Sequence, residues 1–155
     1  MKRIRVIPVL LLDHNRLVKT VRFGKSTYIG DPINAVKIFN EKEVDELALL
    51  DITASVKQKE PPYAKIEEIA GECFMPLSYG GGIRNMEQIK RIFDLGLEKV
   101  IINSAFISSP GLISRAAAQY GSQSMVVSID IKKNLWGKYK SYILSGKKNT
   151  GLNPV

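Results

Sequence analysis

Five runs of mainly apolar residues, each of strand length, punctuate the chain: Ile4–Leu12, Glu46–Ile52, Phe74–Ser78, Lys99–Asn103 and Met125–Ile129. Between them the apolar positions move to helical spacing, over Asp31–Asn40, Tyr63–Gly71, Asn85–Leu95 and Gly111–Tyr120. Strand and helix therefore alternate, a pattern that gives parallel strands joined by right-handed crossovers. Strands this apolar predict a sheet covered on both faces.

The strand exits carry the chemistry. They read DITAS from Asp51, YGGGI from Tyr79, NSAF from Asn103 and DIKKN from Asp130, at spacings of 28, 24 and 27 residues. In parallel α/β folds the carboxyl ends of the strands form the ligand-binding edge, so these clusters are expected on one rim. The triplet Gly80, Gly81, Gly82 weakens a strand and suits a helix poorly, so it predicts either a special turn or a close approach by another group. Five strands make an open sheet or an unfinished barrel, since a complete (βα)₈ barrel takes about 250 residues.

Composition changes the picture in two places. At 155 residues, 45% hydrophobic and 25% charged, the chain reads as one globular domain. Its longest uncharged apolar stretch, Val6–Leu12, is far short of a membrane span, and MKRIRVIPVLLLD lacks the small-residue cleavage site of a secretory signal. A cytoplasmic protein without membrane attachment is the expectation. The single cysteine, Cys73, allows no internal disulfide and reads as a packing residue, while the single histidine, His14, reads as a loop residue. Neither metal nor cofactor is expected.

Charge is the second place. Six lysines (132, 133, 138, 140, 147 and 148) and no acid lie within Ile131–Lys148, leaving +2 of the net +8 for the rest of the chain. A local basic rim of this kind suits a phosphorylated small molecule at least as well as nucleic acid, and a solvated loop equally. Trp136, Tyr139 and Tyr142 fit a hairpin face as readily as stacking platforms. A non-catalytic polyanion-binding protein therefore ranks below a small-molecule enzyme, and nucleic acid is not the favoured partner.

Taken in order, DELALLDITAS, YGGGIRN, KVIINSAF, YGSQSMVVSIDIKK and SGKKNTG resemble the cyclase (synthase) subunit family of imidazole glycerol phosphate synthase. The resemblance implies a (βα)₈ TIM barrel of which residues 1–155 form the first five or so βα units, the amino-terminal part of one barrel domain. It also implies a lyase reaction of histidine biosynthesis. Ammonia from a class I glutaminase partner attacks a ribonucleotide carrying two phosphates, a C–N bond is cleaved and an imidazole ring closes. The products are imidazole glycerol phosphate and an aminoimidazole carboxamide ribonucleotide.

Residue by residue, the resemblance makes Gly81, Gly82, Asn103, Ser104, Ala105 and Ser145 contacts for substrate and phosphate, and adds Lys19 and Asp51. Bare amides at a strand exit can cradle an anion, and a Cβ there would hold it away; a tight turn admitting the helix near Asn85 is the competing reading. Asp130, closing VVSID, matches one of the family's two catalytic aspartates, where partial burial would raise its pKa for acid–base work. The other aspartate is replaced by Leu11. Asp13 has the parity to face the same way, but lies two residues along, about 6–7 Å away. Leu11 resembles instead a paralogue branch associated with amidino groups on nucleotide-linked sugars of surface polysaccharides. Arg5, Glu46 and Lys99, at three strand beginnings, match three members of the family's charged ammonia gate; paired structural charges would look the same.

Overall fold

In a computed structural model the chain is described over residues 4–134 and 136–154. It opens with β1 (Val9–Asp13), a two-residue turn, β2 (Arg16–Lys19) and β3 (Thr27–Gly30). The turn residues His14 and Asn15 both take left-handed backbone (φ 50° and 63°), the geometry that a tight antiparallel hairpin demands. Then come α1 (Pro32–Glu41), β4 (Leu47–Asp51), α2 (Tyr63–Glu72), β5 (Leu77–Gly80), α3 (Met86–Asp94), β6 (Lys99–Ile102), α4 (Ser104–Ser108), α5 (Pro110–Tyr120) and β7 (Met125–Val127). The remainder forms β8 (Asp130–Lys133), β9 (Tyr139–Ile143) and β10 (Lys148–Asn149).

Strands β3-β2-β1-β4-β5-β6-β7 make one seven-stranded sheet that does not close, parallel from β1 through β7. Helix caps follow from local sequence. The Asp31 carboxylate accepts from the Ile33 amide (2.9 Å) ahead of Pro32, and Asn85 accepts from the Gln88 amide (2.9 Å) at the start of α3.

Alternation along the strands splits the sheet into two faces. Leu10, Leu12, Leu47, Leu49, Leu77, Tyr79, Val100 and Ile102 pack with Val36, Ile66, Ile69, Ile89, Ile92 and Leu112 of the helices into one core. The opposite face is built in rows by the register: Val9, Ala48, Ser78 and Lys99 in one, then Leu11, Leu50, Gly80, Ile101 and Val126 in the next. The expected coverage of both faces is not met on this side, where Val9 is 53% and Val126 37% exposed. An unclosed sheet has no opposing strands to cover its inward side.

Several boundaries correct the reading from periodicity. Residues 4–8 form no strand, because Pro8 has no N–H to give a ladder; the Val6 amide instead meets the Asp45 carboxylate. The third parallel strand starts at Leu77 rather than Phe74, again just after a proline, and Phe74 is 85% exposed. What reads as one long loop after the first strand contains β2 and β3, whose Leu17 and Val18 are buried. The basic segment is a three-stranded antiparallel sheet, β10-β9-β8, in keeping with a hairpin face for Tyr139 and Tyr142. Cys73 is half-buried with its thiol on the Met75 carbonyl (3.4 Å), and burial pushes that thiol up.

Candidate functional site

A cavity of about 170 Å³ lies at the carboxyl ends of the parallel strands. The rim expected from the strand exits is there: Asp51, Gly81, Gly82, Asn103, Ser104, Asp130 and Ser145 all line it. Its floor is the Leu11, Leu50, Gly80, Ile101 row of the uncovered face. The glycine turn and Asp130 thus stand at the same end of the sheet.

Asp130 sits where β8 leaves the cavity, half-buried. Its Oδ1 accepts from Asn103 Nδ2 (3.3 Å) and its Oδ2 from the Gly146 amide (2.9 Å). Burial raises its pKa above the ordinary carboxyl value, against the lowering pull of the Gly146 bond, the Lys132 charge and the Asn103 bond. The Lys132 ammonium itself is donated to the Gly146 carbonyl and lies 4.9 Å and 5.2 Å from the ring centroids of Phe23 and Tyr142. A carboxyl held this way keeps its proton to higher pH than a free carboxyl does, which suits it to proton transfer.

The glycine triplet has a packing cause. A Cβ on Gly81, at φ 126°, would stand 2.5 Å from the Asp51 carbonyl oxygen; one on Gly82, at φ 73°, would stand 2.7 Å from the Lys59 carbonyl oxygen. At Gly80 it would meet the Ile101 carbonyl at 2.8 Å. These positions are bare because neighbouring strand and loop backbones approach them. The Gly82 amide is donated to Ser55 Oγ at 3.1 Å.

Asp51 is a turn-former: its Oδ1 accepts from the Thr53 amide (2.8 Å), the Thr53 hydroxyl (2.9 Å) and the Ala54 amide (2.8 Å). Two serines tie the second sheet over the rim, Ser145 Oγ donating to the Ile52 carbonyl (2.6 Å) and Ser104 Oγ accepting the Leu144 amide (3.1 Å). Two expected contacts do not line the cavity. Lys19 is exposed on β2, and Ala105 is buried in the core at the start of α4. Thr20 and Phe23 line it from a loop that carries no periodic signal, and Ser55 and Ser128 line it from the DITAS exit and the Met125–Ile129 run, where the sequence pointed to the aspartates instead.

Leu11 occupies the β1 side of the cavity. Asp13 does not line it: its carboxylate takes the Ser26 hydroxyl (2.7 Å) and faces His14 Nδ1 (2.5 Å), and the Ser26 bond, with His14 and Lys57, holds its pKa below the ordinary value. At the far end of the strands, Glu46 is buried and bonded to both Arg5 and Lys99. The three charges foreseen at the strand beginnings are therefore one ion-paired cluster, several residues below the cavity on the same face.

Residues 5–155 match the model of a family described as histidine biosynthesis protein. Similar chains include a "Putative imidazole glycerol phosphate synthase subunit HisF" of Leptospira borgpetersenii, 57% identical over 152 residues that make 97% of this chain and 60% of the relative. A "Putative imidazole glycerol phosphate synthase subunit hisF2" of Pseudomonas aeruginosa is 54% identical over 155 residues, all of this chain and 62% of the relative. The "Imidazole glycerol phosphate synthase subunit HisF" of Streptococcus sanguinis is 37% identical over 147 residues, 95% and 58% of the two chains. The chain spans about three fifths of the length of the curated relatives it matches.

Proposed function

The chain belongs to the histidine biosynthesis protein family, a TIM-barrel family, and from that premise we propose that it is the amino-terminal part of an ammonia-using cyclase subunit of the imidazole glycerol phosphate synthase type. The observation that carries this reading is the gathering of Gly81, Gly82, Asn103, Ser104 and Ser145 around the half-buried carboxyl of Asp130 in one cavity. The rim hydroxyls and amides hold one phosphate of a bis-phosphorylated ribonucleotide. Asp130 moves a proton as the C–N bond breaks and the ring nitrogen from ammonia is built in. Of the other acids near the strand exits, Asp51 holds its own turn through Oδ1 and Asp13 is turned to Ser26 outside the cavity.

The Arg5–Glu46–Lys99 cluster supports entry of ammonia from the opposite end, where a class I glutaminase subunit would dock. An uncharged molecule can pass such a cluster once one ion pair opens, whereas ions meet paired charges. On this reading the enzyme is cytoplasmic.

Leu11 favours a second reading, an amidino modification of a nucleotide-linked sugar for surface polysaccharide, in which the same cavity serves a reaction needing one carboxyl rather than two. Turnover of the bis-phosphorylated ribonucleotide with ammonium salts, in the chain joined to its remaining barrel units, separates the two. The cyclase reading expects turnover that falls at least a hundredfold in Asp130→Asn and substrate binding that weakens in Gly82→Asp. Undiminished turnover in Asp130→Asn would reject the assignment of Asp130, and binding without turnover in the unsubstituted protein would favour the sugar reading.

A further inference from the structure

The connection between β8 and β9 is tied at four points. The Asn134 amide is donated to the Lys138 carbonyl (2.9 Å) and the Gly137 amide to the Asn134 carbonyl (3.0 Å). Asn134 Oδ1 accepts the amides of Trp136 (3.0 Å) and Lys138 (2.9 Å), and Gly137 supplies the left-handed φ of 75°. Trp136, the chain's single tryptophan, is 87% exposed here. An indole left in water gains nothing for folding and keeps its ring free to stack on a planar partner.

The surroundings say which. Lys133 and Tyr139 are paired across the hairpin on one face, with the ammonium 5.1 Å from the half-exposed phenol ring, and Lys138 follows the turn. No acid lies between Ile131 and Lys148. We propose that the β8–β9 turn anchors a nucleoside phosphate, its base stacked on Trp136 and its phosphate held by Lys133 and Lys138. A base offers a π-face to the indole, and its phosphate complements the lysines. A polymer would need a succession of free platforms, and on this hairpin the Tyr139 ring is already faced by Lys133. The turn begins four residues beyond Asp130, roughly 13 Å along the strand from the cavity rim. The anchor is a separate site and does not depend on what the cavity binds.

Titration of the full chain with adenosine and uridine 5′-monophosphates at low salt, followed by the emission of the sole tryptophan, tests this. Both nucleotides should quench it saturably, with adenosine and ribose 5-phosphate each binding at least about tenfold more weakly. By calorimetry, Trp136→Ala should weaken AMP binding about ten- to hundredfold while Trp136→Tyr keeps most of it. The double variant Lys133→Ala/Lys138→Ala should weaken binding and flatten its salt dependence. No saturable quench, or ribose 5-phosphate binding as tightly as AMP, would overturn the proposal. So would an oligothymidylate bound far more tightly than either nucleotide, with its loss spread over lysines 132, 140, 147 and 148, because that is polymer binding.

Discussion

Leu11 and Asp130 line one cavity from the two ends of the parallel run of strands, Leu11 on β1 and Asp130 just past β7 at the start of β8. An aliphatic side chain therefore faces into the same space as a carboxyl whose charge is disfavoured by burial. Asp51 lines the same cavity, but its Oδ1 is held in its own turn, and the burial around Asp130 sets when that group ionises.

That setting predicts a pH signature. Asp130 has a folded-state pKa above its ordinary value, so it contributes stability that is complete at low pH and lost as pH rises through the folded-state value. Asp130→Asn does not titrate. Its melting temperature should gain on that of the unsubstituted chain as pH is raised from about 3 to about 7, and a constant difference across that range would contradict the raised pKa.

Asp13 should behave with the opposite sign. Its pKa is lowered chiefly by the Ser26 hydroxyl, so its stabilisation is present above the ordinary carboxyl value and disappears as pH falls through the lowered one. Ser26→Ala should cost about 1 kcal/mol at neutral pH, and urea unfolding should find that cost shrinking towards about pH 2.

The Arg5–Glu46–Lys99 cluster is unequal in exposure, which ranks its members. The side chain of Glu46 is 7% exposed, Lys99 21% and Arg5 60%. Lys99→Met should cost about 3 kcal/mol, because it leaves a buried carboxylate with only the exposed Arg5 as partner, whereas Arg5→Ala should cost about 1 kcal/mol or less. Equal losses in chemical unfolding would show that the two cations share the pairing evenly.

Glycines of positive φ divide by surroundings. Gly81 and Gly96 are both left-handed, but a Cβ on Gly81 collides with the Asp51 backbone while one on Gly96 meets nothing within 4 Å. Gly96→Ala should cost about 1 kcal/mol from backbone strain alone, and Gly81→Ala about 3 kcal/mol or more. Similar midpoints for the two variants would mean the β4 and β5 exits separate freely.

Ser145 joins loops 93 residues apart through the Ile52 carbonyl. Ser145→Ala should lower stability by about 1 kcal/mol and speed amide exchange in β9 and β10 before it touches the main sheet. Unchanged exchange in those strands would place the attachment of the second sheet elsewhere.

Much of this was decided locally, and so was legible in the residue order. The alternation of strand and helix, the helix start near Asn85, the exits at Asp51, Asn103 and Asp130 and the charges Glu46 and Lys99 at strand beginnings all follow from periodicity and side-chain chemistry within a few residues. Tertiary structure decided what depends on distant partners. Strands β2 and β3 exist because Leu17 and Val18 find β1 to pack beside, and prolines at 8 and 76 moved two strand starts by withholding an amide. The glycine triplet is bare because the Asp51 and Lys59 backbones come within contact of it, and Asp13 is excluded from the cavity by Ser26 from another loop. Periodicity reports which way a side chain points, but only the folded chain brings in the neighbour that claims it.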